Sequence, residues 1–298
     1  MNKTAIGIAA IATLMGLPAL AADMALKAPP PAPAAYDWSG CYVGANAGWI
    51  GSQDRYALAP SGSYLSPLVT LIPMPNPAGG GDFASDIALL KNSYASNGSG
   101  GLIGGQIGCN KQIGQYVFGG EADGQWTSLK SSVNAGYAAF TNAGNFLFTD
   151  AAHTEQVSSR LEGLFTIRGR AGYAWDRLLL YVTGGLAAAE IKSQTNVTFA
   201  TTGSPFGIPF TTYSGATHIA STTADRAGWV MGGGAEYAFA PHWSLKTEIL
   251  YIDLGTVSYN SPLVAATPAG TVGAGYSWST KIRERDEVAR IGLNYKLN

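Results

Sequence analysis

Leu164–Leu186 carries the clearest pattern in the chain: Phe165, Ile167, Ala171, Tyr173 and Trp175 fall on one face, and Thr166, Arg168 and Arg170 on the other. Successive side chains of a strand point to opposite faces, so this spacing predicts a strand with one apolar and one charged face. Asp176-Arg177 supplies a tight turn. Leu178, Leu180, Val182 and Leu186 then continue the apolar face on a return strand, opposite Tyr181 and Thr183. Each arm runs about ten residues, which is what a tilted strand needs to cross a bilayer. Two arginines on one face of a spanning hairpin are tolerable only inside a closed barrel, where they meet acids and water.

The same alternation recurs along the chain. A first strand is predicted over Trp38–Ile50, with Val43, Ala45, Ala47 and Trp49 opposite Tyr42, Gly44, Asn46 and Gly48. Gly101–Gln112 and Tyr116–Leu129 follow, joined by a short turn at Ile113-Gly114-Gln115; in the latter, Phe118, Ala122 and Trp126 oppose Glu121, Asp123 and Gln125. After the central hairpin come Ala227–Phe239, Trp243–Gly255 and Asp286–Leu297. Their polar faces carry Glu236, then Lys246 and Glu248, then Arg290 and Lys296. Between these pieces lie four long polar connections, Ser52–Gly100, Lys130–Thr154, Lys192–Thr223 and Thr256–Ile282. Eight strands with long and short connections in alternation predict an all-β fold: an eight-stranded antiparallel up-and-down transmembrane β-barrel with four long outer loops.

Alternation alone does not say which face is outside, since a soluble eight-stranded barrel has the same period with its apolar face inward. The aromatic residues favour lipid. With odd-numbered strands running outward, Trp49, Trp126, Trp229 and Tyr251 lie at outer strand ends, and Tyr173, Trp175, Tyr237, Phe239, Trp243 and Tyr295 at inner ends. All belong to the apolar face, as two aromatic girdles bounding a lipid-facing band would. Trp229 to Phe239, at ~3.3 Å rise and ~40° tilt, spans about 25 Å of height.

The N-terminus changes the compartment. Asn2-Lys3, the apolar run Ala5–Leu17 and the small residues of Pro18-Ala19-Leu20-Ala21 read as a signal peptide over residues 1–21, cleaved after Ala21. Residues 22–37, with Pro29, Pro30, Pro31 and Pro33, read as an extended periplasmic leader, and residues 38–298 as the barrel. Charged residues make up 12% of the chain and the formal net charge is −1, which gives no reason to expect nucleic acid as partner.

The segments GCYVGANAGW, GGQIGCNKQIG, FGGEADGQW, RGRAGYAWDRLLLYVTGGLA, GGGAEYAFAPHWSLKTEILYIDLG and VARIGLNYKL, in this order, resemble the small outer-membrane β-barrel proteins of alpha-proteobacteria, immunogenic surface proteins related to opacity proteins. The resemblance covers most of Trp38–Leu297 outside the long connections. It implies location in the cell outer membrane, contact with its lipid and lipopolysaccharide, insertion by the barrel-assembly machinery, and a structural or weakly pore-forming role. Such proteins usually end on an aromatic residue that the assembly machinery reads; here Leu297 holds that face and Asn298 follows.

Glu121, Asp123, Arg168, Arg170, Glu236, Lys246, Glu248, Arg290 and Lys296 are expected to line the lumen as an ion-pair network. An eight-stranded barrel is only just wide enough for its own side chains, which disfavours a wide channel and leaves a narrow porin as the alternative. Cys41 and Cys109 are placed side by side if Trp49 lies near Gly101: they form a disulfide, which the periplasm permits, or remain two small apolar residues facing lipid. No CxxC or neighbouring histidine points to a metal or redox site, and no cofactor is expected. A lipid-modifying enzyme would need a serine–histidine pair at the rim, and no serine stands out beside His153, His218 or His242. Surface binding of a host or environmental ligand through the loops is a further alternative, with the proline-stiffened Tyr64–Pro77 as its best candidate.

Overall fold

The computed structural model describes residues 36–61, 92–137, 141–142, 147–204, 212–267 and 277–297. The expected signal peptide, nearly all of the leader and the Tyr64–Pro77 segment lie outside them. Eight long strands form one closed ring: β1 (Gly40–Ser61), β2 (Asn92–Ile113), β3 (Tyr116–Tyr137), β5 (Leu147–Trp175), β6 (Leu178–Ser204), β7 (Thr212–Ala238), β8 (Trp243–Thr267) and β9 (Ser277–Lys296). A two-residue strand, β4 (Thr141–Asn142), lies against β5. Every neighbour is antiparallel, and pairing of β1 with β9, from Tyr42↔Lys296 to Ser61↔Ser277, closes the ring. Closure leaves no edge whose peptide groups would face hydrocarbon unpaired.

The inner turns are tight because particular residues adopt left-handed backbone. Gly114 (φ 62°) turns β2 into β3, and Asp176 (φ 49°) turns β5 into β6. Aspartate is among the few side chains that tolerate this region. In the outer part, Gly255 (φ 78°) sits at a bulge in β8 where the register with β9 slips between Asp253 and Gly255.

The orientation follows from exposure. Phe165, Ile167, Val182, Leu186 and Ile249 are exposed on the outer surface, whereas Arg168, Arg170, Lys246 and Glu248 are buried inside. The girdle residues Trp49, Trp126, Trp229, Trp175, Tyr237, Phe239, Trp243 and Tyr295 are all exposed, while Tyr173 and Tyr251 are half-buried by ring neighbours. Tyr251 stacks on Trp229 with centroids 5.5 Å apart, and Tyr173 lies 4.4 Å from Trp175. Tyr116, 5.6 Å from Tyr173, extends the inner girdle by a residue the sequence reading passed over. Ile167→Arg, near the middle of this band, is expected to cost about 2–4 kcal/mol of folding free energy in lipid vesicles. A urea titration of vesicle-inserted protein measures it; an unchanged midpoint would mean that Ile167 does not face hydrocarbon.

The strands are longer than the pattern predicted. Much of the four segments read as outer loops is strand: β1 runs to Ser61, β3 to Tyr137, β6 to Ser204, and β9 starts at Ser277. The reason is a reversal of polarity above the outer girdle. In β9 the outward residues Ile291 and Leu293 give way to Lys281, Arg283, Arg285 and Glu287. The inward residues change in the opposite sense, from Arg290 and Asn294 to Val288, Ile282 and Trp278, interrupted by Asp286, Glu284 and Thr280, all buried. Below the girdle the barrel is polar inside and apolar outside; above it, the polarity is that of a barrel in water. A core of Tyr56, Leu58, Leu161, Ile191, Val257, Trp278 and Ile282 fills this outer extension.

Candidate functional site

The membrane-level lumen holds the largest cluster of buried ion pairs among the described residues, and it is closed at three levels. At the inner end, Trp38 caps the mouth. Its side chain is buried against Val117, Ala174, Leu179, Tyr181 and Ala238, with Tyr36 packed over it. Its indole Nε1 donates to the Asp176 carbonyl (3.0 Å), and its backbone N–H donates to Gln112 Oε1 (2.7 Å). The Tyr36 N–H donates to the Asp176 carboxylate (2.8 Å), so the turn that needs a left-handed residue also anchors the cap. The pattern places Trp38 at the start of the first strand, whereas β1 begins at Gly40; alternation cannot reveal the role of a residue that lies outside any strand.

Lys296 belongs to this mouth. The expectation that it joins the lumen network is corrected: it keeps the inward parity of β9 but stands at the strand's last position. Its ammonium donates to the Asp37 carbonyl and lies 5.3 Å from the Tyr36 ring.

The middle level is the charge network. Arg168 is at its centre, donating to Asp123 (2.7 Å) and Glu248 (2.9 Å) and pairing with Glu121. Arg290 binds Glu248 and Asp123. Lys246 reaches Glu121 at 2.7 Å, and Arg170 reaches Glu236 at 2.8 Å. Four acids thus face four bases, a net charge of zero, with every side chain nearly inaccessible to solvent. Neutral groups complete it. Tyr42 donates to Glu121 (2.6 Å) and accepts from Arg170 (2.8 Å); Thr166 donates to Asp123, and Ser244 and Asn294 to Glu236. Buried ions survive only when paired and hydrogen-bonded in this way. The sequence placed Tyr42, Thr166 and Asn294 on the right faces, but their uncharged groups gave no separate signal.

Glycines let these side chains lie flat against the wall. A Cβ on Gly108 would stand 2.4 Å from the Tyr42 hydroxyl oxygen, and one on Gly234 would stand 2.7 Å from that of Tyr181. Each tyrosine therefore occupies the volume that a side chain at the facing glycine would need.

The third level is apolar. Leu250, Val288 and Ile50 are consecutive register partners across β8, β9 and β1, and all three are buried. Leu102, Leu164 and Val230 belong to the same buried cluster. A layer without polar groups gives an ion or water nothing to bind.

Cys41 and Cys109 pair in register and form a disulfide that staples β1 to β2. His242, in the inner turn, contacts the Lys296 carbonyl through Nδ1 (3.2 Å). His218 is buried inside the outer extension, where burial lowers its pKa to about 4 and keeps it neutral near pH 7. The side chain of His153 lies outside the described residues.

A closed, eight-stranded, inside-out barrel with a filled lumen defines an integral protein of the outer membrane. The chain belongs to the outer-membrane protein beta-barrel domain family, which matches residues 10–279. It is 31% identical to the 31 kDa outer-membrane immunogenic proteins of Brucella melitensis and Brucella suis, over 97% of this chain and 98% of theirs. Among solved structures, the outer membrane protein OprG of Pseudomonas aeruginosa aligns over 88% of this chain and 98% of its own, at 11% identity and a TM-score of 0.42.

Proposed function

We propose that this protein is a non-enzymatic surface anchor: a sealed barrel that holds its extended outer strands and connections above the membrane. The observation that carries this reading is closure in series, by the Trp38 cap, the neutral ion network and the Leu250–Val288–Ile50 layer. A diffusion pore needs a continuous wet path, and each level interrupts one. Refolded protein in liposomes tests the reading through swelling in small sugars. Swelling no faster than in protein-free liposomes is expected; size-dependent swelling would favour the narrow porin.

Lipopolysaccharide is the membrane partner this surface suits. Arg55, Lys281 and Arg283 point outward on the outer extension, with Arg55 opposite Arg283 and Ala57 opposite Lys281, and Arg283 also pairs with Asp253 at 3.1 Å. Clustered cations at that height meet the phosphate groups of the outer leaflet. The charge-reversed variant R55E/K281E/R283E is expected to retain several-fold less lipopolysaccharide on purification while inserting normally into neutral lipid. Equal retention would remove the partner from this site.

A further inference from the structure

Three buried acids of the outer extension have no basic partner among the described residues. Asp54, Glu284 and Asp286 point inward from β1 and β9 and are buried, with carboxylate oxygens within 4.8 Å of one another. Among the described residues no lysine or arginine pairs with any of them. The contrast with the four-against-four network below is direct: here three buried acids stand together. Asp286 is 0% exposed and neither of its carboxylate oxygens has a hydrogen-bond partner. Asp54 Oδ1 is also unpartnered. Along the strands, Ile50, Ile252 and Val288 lie below the cluster and Tyr56, Leu58 and Ile282 above it, all buried, so the acids stand between two apolar layers.

We infer that Asp54, Glu284 and Asp286 form a binding site for a divalent cation of the hard, oxygen-preferring class to which calcium belongs. The donor set is all oxygen. Ser52 and Tyr56 hydroxyls converge on Asp54 (3.0 and 3.4 Å) and the Ser159 hydroxyl on Glu284 (2.6 Å). Calcium takes six to eight oxygens at about 2.3–2.6 Å, so oxygens on opposite sides of one ion stand roughly 4.6–5.2 Å apart. One carboxylate oxygen from each acid lies within 4.8 Å of the others, a separation that a single ion of this size can bridge. Magnesium, which keeps much of its water, suits a dry pocket less well. The site joins the first and last strands, so an ion there would tie the two ends of the chain together at the ring's closing seam. Alternation does not reveal it, because the three acids fall within or beside segments whose composition reads as loop.

The probe is terbium, a calcium-like ion whose emission is sensitised by a nearby excited tyrosine; Tyr56 is hydrogen-bonded to Asp54. Full-length protein refolded in detergent is titrated with terbium, then with calcium. Expected results are saturable tyrosine-sensitised emission at one ion per chain, displacement by calcium, and an unfolding temperature roughly 10 °C higher in excess calcium than in EDTA. The isosteric variant D54N/E284Q/D286N removes the buried charge without changing shape. It should fold in EDTA but lose both the emission and the calcium response. Emission or stabilisation that survives in this variant would place the ion elsewhere. No saturable emission from the folded wild-type protein would mean that the acids hold protons only, and would overturn the proposal.

Discussion

Arg168→Met is expected to destabilise the folded barrel by about 3–5 kcal/mol, the range for removing one partner of a buried ion group. Arg168 makes the closest contacts to Glu121, Asp123 and Glu248 together, a set that Arg290 also reaches, though no nearer than 3.6 Å at Glu121. Methionine approximates its volume, so the loss isolates charge from packing. The lumen then holds four acids and three bases in a space without solvent, and the excess negative charge must be protonated or wetted. Adding Glu121→Gln restores neutrality, and the double variant should recover a substantial part of the loss. Urea titrations of vesicle-inserted protein compare the three. A single variant as stable as wild type would mean that the ion pairs are dispensable to the fold. A double variant no better than the single would mean that geometry rather than charge balance governs the lumen.

Trp38→Ala is expected to cost about 3 kcal/mol, at the lower end of the range for deleting a large buried aromatic. The indole fills the inner mouth, and its loss also leaves the Asp176 carbonyl without its donor. Removing it exposes Leu179, Tyr181 and Val117 to water from the periplasmic side. The network and the apolar layer remain above, so this variant should lose stability yet stay closed to ions. Trp38→Phe, which restores the ring but not the N–H, should recover more than half of the loss. Two unfolding midpoints and one conductance trace check this; an alanine variant with wild-type stability would show that the leader residues merely lie against the barrel.

The part of the fold legible in the sequence is the part in lipid. There the outer face must be apolar over its whole height, and an unbroken period of two makes Phe165, Ile167, Arg168 and Arg170 assign themselves. The Cys41↔Cys109 pairing follows from the same register that sets Trp49 opposite Gly101. Above the girdle the outward face is polar, as in any loop, and the inward Tyr56, Leu58 and Ile282 are too sparse to announce strands. Bulges between Trp126 and Leu129, between Leu161 and Gly163 and at Gly255 shift the phase there and break the alternation further. The Trp38 cap was hidden for a different reason. Its contacts reach Gln112 and Asp176, 74 and 138 residues away, and only closure of the ring brings them together. Within the network, charge made Glu121, Asp123, Arg168 and Arg290 visible, while the apolar row that completes the seal resembled ordinary strand filling.

Single-channel recording on refolded protein in planar bilayers tests closure of the lumen most directly. Insertion without resolvable current steps, across both polarities of voltage, is the outcome predicted by a capped, charge-filled and apolar-sealed barrel. Stable, uniform conductance steps from wild-type protein would contradict it.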